Sequence, residues 1–475
     1  MCGINVFNHI KSNTTLEKIN YHCQKRGPDS TNIVNKYGIT FIHNLLSITG
    51  QITYQPFIKN NIICLFNGEI YNYNSINIDK KYKTIEYNSD GDCIIDTYLT
   101  YGLTFARCFD GEFSILLFDF NDNVAGPECL MITDTFGTKP LFYGLDGDDF
   151  MISSYSRCLD ENGYQKNQIK KVEANSIHRF KINKLENNHT ISYFKTHTLN
   201  SFELKNQTVN TYDDWCEAFE QAVEKRVKNL TKPLFIPMSG GYDSGAICCA
   251  LNNLGIKYKT YTIKGKEDLN IVSSRLKIND SYGNHNKILY MDEGLISIEY
   301  ERNMRECSDY ECKISHSSDV KIYSIFKDRA LNGGGYIAKY ARKDNNIICL
   351  SGQGADEILS DYGYKGEKKT KHSCFGGLFP NDLTKIIDEN NTRNAKWLSF
   401  QSGINEGLLM KEESIFGSYG IETRYPFLDT QLVQKFLYLT PELKNKWYKA
   451  PLHHYLTKNK YPFKANDKIG LNCLY

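Results

Sequence analysis

The stretch PLFIPM-SGGYDSG-AICCALNNL (residues 233–254) leaves little choice of local fold. Its short apolar run predicts a buried strand, its two glycines a tight turn, and the apolar run over 246–254 a helix. A strand, a Gly-rich turn and a helix in immediate succession open a βαβ unit. KYKTYTI (257–263) supplies a second strand, and NIICL (346–350) another that again runs into a Gly-rich turn, SGQGADE (351–357). This half of the chain therefore predicts an α/β parallel sheet, with ligand-binding turns at the C-terminal ends of its strands.

The first 200 or so residues read differently. Short or alternating apolar runs recur at GITFIHNLLSI, NIICLFNG, FSILLFDF, CLMIT, PLFYG and FMISS, divided by Gly, Asn and Asp, so a β-rich domain is expected. Residues 200–210 are polar and aperiodic and predict the linker. A helix is expected over 213–229, where Trp215, Phe219, Val223 and Val227 fall every four residues and Thr211 or Asp213 can cap the start. GEKKTK (366–371) reads as a mobile, solvated loop. There are no internal repeats.

At 475 residues the chain can build two or three full cores, and its 41% hydrophobic and 24% charged content is that of a globular protein. A net charge of +2 gives no reason to expect nucleic acid as a partner. The 15 cysteines include no CxxC pair and no His/Cys cluster at metal-ligand spacing, which predicts scattered reduced thiols, with Cys248 and Cys249 in the core. The start lacks a signal peptide, and runs such as FSILLF fall far short of the roughly 20 residues of a membrane helix. A cytoplasmic enzyme without a membrane partner is expected.

The chain begins Met-Cys-Gly. Removal of Met1 would leave Cys2 with a thiol and a free α-amine, which titrates near ~8 and can take the thiol proton. Nucleophile and base would then share one residue. A Met-Cys start also occurs by chance, so the motifs downstream decide its meaning.

Those motifs are RGPDS (26–30), FNGEIYNY (66–73), SDGDC (89–93) and DTFGTKPLFYG (134–144). In order and spacing they resemble the glutaminase domain of class II glutamine amidotransferases, of the N-terminal-nucleophile type. SGGYDS, SGQGADE, YGIETRYPFLD (419–429) and Lys449 resemble the synthetase domain of glutamine-hydrolysing asparagine synthetases. The resemblance runs almost end to end. It implies an Ntn-hydrolase αββα glutaminase domain over residues 2–200, followed by an ATP-pyrophosphatase (adenine nucleotide alpha hydrolase-like) domain over 211–475.

It also implies site residues. Cys2 would be the nucleophile, and the Asn67 amide with the Gly68 N–H would form the oxyanion site. Glu69 and Asp92 would hold the glutamine α-ammonium. Ser239, Gly240, Gly241, Asp243, Ser244, Ser351 and Gly352 would bind ATP and pyrophosphate, Asp243 and Asp356 would hold Mg2+, and Lys449 would stabilise charge on the adenylate. Taken singly, Asn-Gly is a common hairpin turn, and an isolated acid or lysine is usually a solvated face. Glu306 and Asp309 match an ExxD segment near the acceptor site.

The chain departs from the family pattern at several points. Leu45 stands where an arginine pairs with the glutamine α-carboxylate, a contact leucine cannot replace. Thr133 and His453 each stand at an arginine position. Gln353 stands where glutamate is common, and glutamine cannot act as a general base. The chain also stops soon after KIGLN (468–472).

The activity implied is hydrolysis of glutamine at Cys2 and amidation of ATP-activated aspartate, giving asparagine, AMP and pyrophosphate, with weakened glutamine use because of Leu45. A homodimer is compatible with the sequence. Three alternatives stay open: another carboxylate acceptor, a synthetase driven by free ammonia, and a non-catalytic nucleotide-binding regulatory protein.

Overall fold

A computed structural model describes residues 1–11, 14–76, 87–122, 126–186, 188–265, 267–313, 322–328, 330–387 and 396–467. The KIGLN segment lies outside them. The chain forms two compact units. The first comprises Met1–Asn200 with Glu306–Asp309 and Gly417–Gly420; the second takes in the rest.

The first unit is built on two six-stranded antiparallel sheets. Its strands are β1 (Gly3–Phe7), β2 (Ser30–Lys36), β3 (Ile39–Leu45), β4 (Phe57–Lys59), β5 (Ile62–Ile70), β6 (Gly111–Asp119), β7 (Glu128–Thr133), β8 (Phe142–Asp146), β9 (Asp149–Ser153), β10 (Ile169–Lys171), β11 (Ser176–Lys184) and β12 (His189–Thr198). One sheet has the order β10-β8-β9-β1-β3-β2 and the other β12-β11-β7-β6-β5-β4. Ile4, Val6, Ile39 and Phe41 of the first meet Ile63, Leu65, Leu116 and Phe118 of the second in one core. The alternate residues Ile62, Cys64, Phe66, Ile115 and Leu117 pack instead with Ile94, Ile95 and Tyr98 of a helix, α2 (Cys93–Tyr101), on the outer face. Strands buried on both faces lose the hydrophobic alternation, which is why these segments read as continuous apolar runs. α1 (Leu16–Arg26) and α3 (Ser156–Glu161) cover the other sheet, Cys23 reaching the Ile4 carbonyl. The layers are α–β–β–α, the Ntn-hydrolase arrangement.

The second unit opens with α4 (Asp213–Val227). Its N-cap is Tyr212, with no side-chain cap bond, so neither Thr211 nor Asp213 caps it as expected. The sheet strands are β13 (Leu234–Pro237), β14 (Lys259–Lys264) and β15 (His285–Tyr290). After a hairpin of β16 (Glu311–Lys313) and β17 (Ile322–Ser324) come β18 (Ile348–Leu350), a small hairpin of β19 (Gly363–Tyr364) and β20 (Glu367–Lys368), and β21 (Glu422–Arg424). The order is β15-β14-β13-β18-β21, every neighbouring pair parallel. Chain order therefore reverses between β13 and β18, and ligands of open α/β sheets bind outside the strand C-termini at such a switch point. GEKKTK, expected as a loop, carries the exposed two-residue strand β20, with Lys369 N–H on the Tyr362 carbonyl (3.2 Å).

α5 (Tyr242–Asn253) begins inside SGGYDS, four residues earlier than the apolar run suggested, with Gly241 as N-cap. Further along are α6 (Leu269–Ser281), α7 (Glu293–Glu306), α8 (Ala330–Lys343), α9 (Ala355–Leu359), α10 (Gly403–Gly417), α11 (Thr430–Tyr438), α12 (Pro441–Lys444) and α13 (Ala450–Lys458). Cys248 and Cys249 are core residues. Among the described residues no helix is long and apolar enough to cross a membrane.

Candidate active sites

Cys2 precedes β1 and is buried at 8% exposure. Its backbone N–H donates to Asn67 Oδ1 (2.9 Å), a residue of β5 with no exposed surface. That bond fixes the Asn67 amide with its oxygen toward Cys2 N. Asn67 Nδ2 is left buried and without a hydrogen-bond partner. An unsatisfied buried donor costs about 1–3 kcal/mol, so its persistence beside a thiol suits a site that receives an oxyanion.

The Gly68 N–H belongs to the same edge. Phe66 N–H and Ile70 N–H, two residues to either side, are taken by Gln55 Oε1 (2.7 Å) and Asp90 Oδ2 (2.8 Å). Strand parity directs Gly68 N–H the same way, while β4 pairs only with Ile62–Cys64. Gly68 itself has φ +139°, and a Cβ there would stand 1.9 Å from the Glu112 carbonyl oxygen, so only glycine fits.

Arg26, in RGPDS but assigned no role from sequence, ends α1 fully buried. Its Nε donates to the Cys2 carbonyl (2.9 Å) and Nη1 to the Tyr155 hydroxyl (2.9 Å). His43 in β3 is also buried beside this end of the chain. Burial lowers its pKa to about 3, so it is a neutral imidazole at physiological pH.

Glu69 accepts from Thr49 Oγ1 (2.9 Å), and Asp92 Oδ2 from the N–H groups of Asn88 and Ser89 (both 3.1 Å). Gln51 N–H bonds the Asn88 carbonyl (3.0 Å), so the 49–51 and 88–89 segments bring the two acids' surroundings together. Leu45 is buried at the end of β3. Thr133 bonds its hydroxyl to the Glu173 carbonyl. Glu306 groups with this first unit, where it pairs with Lys25 and accepts from the Tyr21 hydroxyl (3.1 Å).

In the second unit the turns after β13 and β18 meet. A Cβ on Gly352 would come within 2.7 Å of Asp243 Cβ, so these turns touch only because residue 352 has no side chain. Lys449 Nζ lies 2.6 Å from Asp243 Oδ1 and 2.9 Å from Asp356 Oδ1. The Tyr448 hydroxyl also donates to Asp356 Oδ1 (2.7 Å). Lys449 is 3% exposed with φ +49°. Burial opposes its charge, but Asp243 and Asp356 together hold its pKa above the usual lysine value.

The SGGYDS turn is tied from within and below. Ser244 Oγ accepts from Ser239 N–H (3.0 Å), and Ser239 Oγ from Gly241 N–H (3.1 Å). Arg275 Nη1 bonds the carbonyls of Ser239 and Gly241, the latter at 2.8 Å, while Glu267 Oε2 accepts from Gly240 N–H (2.7 Å). Burial raises the pKa of Glu267, against the lowering effects of the Gly240 N–H bond and the Arg275 charge. His453 Nδ1 lies 3.2 Å from the Tyr242 hydroxyl. Sequence reasoning missed Arg26, Glu267 and Arg275, which belong to no motif with an assigned role.

Comparison with known proteins adds a second line. Residues 1–213 match the glutamine amidotransferase domain family and residues 214–412 the asparagine synthase family, in the order the two units follow. The chain belongs to the glutamine-hydrolysing asparagine synthetases. The asparagine synthetase [glutamine-hydrolyzing] of Mesocricetus auratus is 23% identical over 455 residues, covering 88% of this chain and 73% of that protein. The Homo sapiens protein of the same description is 24% identical over 456 residues, with the same shares. Among solved structures, a glutamine phosphoribosylpyrophosphate amidotransferase from B. subtilis aligns with a TM-score of 0.33 and 10% identity, covering 75% of this chain and 77% of that one.

Proposed function

We propose that this chain is a glutamine-dependent asparagine synthetase, with ATP, aspartate and glutamine as substrates. The observation that carries it is the Lys449 ammonium held between Asp243 and Asp356 at the switch point of a parallel sheet, in a chain whose other unit buries a cysteine beside an unpartnered amide donor.

In the first unit, Cys2 attacks the side-chain amide carbon of glutamine once Met1 is removed and the α-amine takes the thiol proton. Asn67 Nδ2 and Gly68 N–H stabilise the oxyanion, a contribution of about 3 kcal/mol per donor. Arg26 positions Cys2 through its carbonyl. Glu69 and Asp92 hold the substrate ammonium. Leu45 supplies no cation for the α-carboxylate, so glutamine is used weakly and free ammonia competes as nitrogen donor.

In the second unit, Ser239, Gly240, Gly241, Ser244, Ser351 and Gly352 form the cradle for ATP phosphates. Their N–H groups lie at the start of α5 and in the turn after β18, where an anion is favoured. Asp243 and Asp356 offer hard oxygen ligands in the number Mg2+ uses beside substrate phosphates. Bound there, Mg2+ would neutralise phosphate charge. Lys449 stabilises the charge that develops as the aspartate carboxylate displaces pyrophosphate. Placement in the cytosol fits the reduced thiols, and a homodimer fits the sequence.

The test follows AMP and asparagine with aspartate, comparing glutamine with ammonium salts. Equimolar AMP and asparagine support the reading, whereas AMP formation that ignores aspartate refutes it.

A further inference from the structure

The turn after β13 rests on a guanidinium that belongs to none of the motifs. Arg275 lies on the buried face of α6 with Val272 and Asn279, and has no exposed surface. Its Nη1 donates to the carbonyls of Ser239 (2.5 Å) and Gly241 (2.8 Å), and its Nε to the Pro462 carbonyl (2.8 Å). One planar fork thus fixes three carbonyls, which the point charge of a lysine cannot do.

The two turn carbonyls decide where the turn's N–H groups point. Both peptide bonds are trans, and in a planar trans peptide the C=O and N–H face opposite ways. With the Ser239 carbonyl on Arg275, the Gly240 N–H faces away from the guanidinium. It is met there by Glu267 Oε2 (2.7 Å), so that side of the turn already takes an acidic oxygen. With the Gly241 carbonyl on Arg275, the Tyr242 N–H faces away as well. Tyr242 is the first residue of α5, so its N–H has no acceptor within the helix.

The fold gives up stability to seat this guanidinium. Gly245 stands in the first turn of α5, where glycine weakens a helix. A Cβ there would stand 2.3 Å from Arg275 Nη2 and 2.5 Å from its Cζ, so the guanidinium fills the place of a side chain at 245. Arg275 Nη2 is itself buried without a hydrogen-bond partner. A buried charge and an unused buried donor are both costly, and what they hold in place is the phosphate turn.

We propose that Arg275 is the positioning residue of the ATP cradle: its grip on the Ser239 and Gly241 carbonyls turns the N–H groups of Gly240 and Tyr242 toward the polyphosphate. The inference rests on the synthetase reading above. Arg275 touches no substrate and acts only through the peptide planes of the turn. Gly245 is the space that lets it do so.

The experiment measures aspartate-dependent ATP–pyrophosphate exchange on the full-length chain. The proteins are wild type, Arg275→Met, Arg275→Lys, Gly245→Ala, and Arg275→Met with Gly245→Ala. Arg275→Met should raise the Michaelis constants for ATP and for pyrophosphate at least about tenfold, as lost hydrogen bonds to a charged group do, and that for aspartate less than about threefold. Arg275→Lys should fall within about threefold of Arg275→Met, because it keeps the charge and loses the fork. Gly245→Ala should raise both phosphate constants about tenfold by pushing the guanidinium off the turn, but less than about twofold in the Arg275→Met background, where nothing is left to push. If Arg275→Met does not accumulate as folded protein, Arg275→Lys and Gly245→Ala carry the test alone. Unchanged phosphate constants overturn the proposal. So does an equal rise for aspartate, which marks a general loosening, and so do wild-type constants in Arg275→Lys, which would make charge alone sufficient. Wild type without aspartate-dependent exchange refutes the synthetase reading instead.

Discussion

The buried carboxyl of Glu412 on α10 makes a prediction about stability. Its carboxyl ordinarily titrates at 4.5 and in the fold is raised to about 7 by burial. Between those values the native state holds a proton that the unfolded chain has lost. Stability from this group is therefore fully present below pH 4.5 and lost as pH rises through 7. At 1.36 kcal/mol per pH unit the full swing is about 3 kcal/mol. Glutamine at 412 has no charge to bury, so Glu412→Gln should become progressively more stable than wild type across the same window. For a unit of this size about 3 kcal/mol corresponds to roughly 6 °C or more in melting temperature. The assay is thermal unfolding of both proteins from pH 4.5 to 8.5, read as a difference. Subtraction matters because other groups titrate too. Asp361, raised to about 6 by burial, adds a loss of the same sign, whereas Lys444, lowered to about 7 by burial, makes the protein gain stability as pH rises above 7. A difference that stays constant from pH 4.5 to 8.5 would refute the reasoning, because it would mean that Glu412 titrates alike in both states.

Other outcomes follow from the same geometry. Arg26→Ala removes the donor to the Cys2 carbonyl and should lower glutamine-dependent turnover at least about tenfold; ammonia-dependent turnover, measured in parallel, should stay within about twofold. Leu45→Arg should lower the Michaelis constant for glutamine about tenfold or more, as a charge-assisted carboxylate contact of about 1.5–3 kcal/mol predicts; steady-state glutaminase kinetics decide it. Lys449→Met leaves Asp243 and Asp356 without their shared cation, which should cost about 2 kcal/mol, allowing for their partial exposure. Added Mg2+ should raise the melting temperature of this variant more than that of wild type, and an equal rise in both would count against Mg2+ at these carboxylates.

Much of the fold could be read from the chain because its strands are buried on both faces. NIICLFNG and FSILLFDF yielded β5 and β6 directly, and the strand–turn–helix signal yielded β13 and α5. α1 escaped for the opposite reason. Its sequence LEKINYHCQKR is mostly polar, and its buried face carries Asn20, His22 and Arg26. Asn20 spends its amide on Asn44 (2.9 Å), a polar core that no apolar period announces. The β11–β12 hairpin was missed because Tyr193 and Phe194 on β12 are exposed, leaving no one-sided alternation. The catalytic motifs were legible because their residues are close in sequence. Arg275 was not, because it reaches the carbonyls of Ser239 and Gly241 from α6, distant in the chain from the turn it holds.

The contact between Gly352 and Asp243 has an evolutionary consequence. Two turns that touch with no side chain between them cannot drift separately, since a displacement of either carries Asp243 away from Asp356 and Lys449. The phosphate end of the site is in that sense frozen as a unit. Freedom to change the chemistry lies on the side chains that flank the frozen part, Gln353 among them. A new acceptor or a new proton path can be tried there one substitution at a time, with the adenylating apparatus left intact.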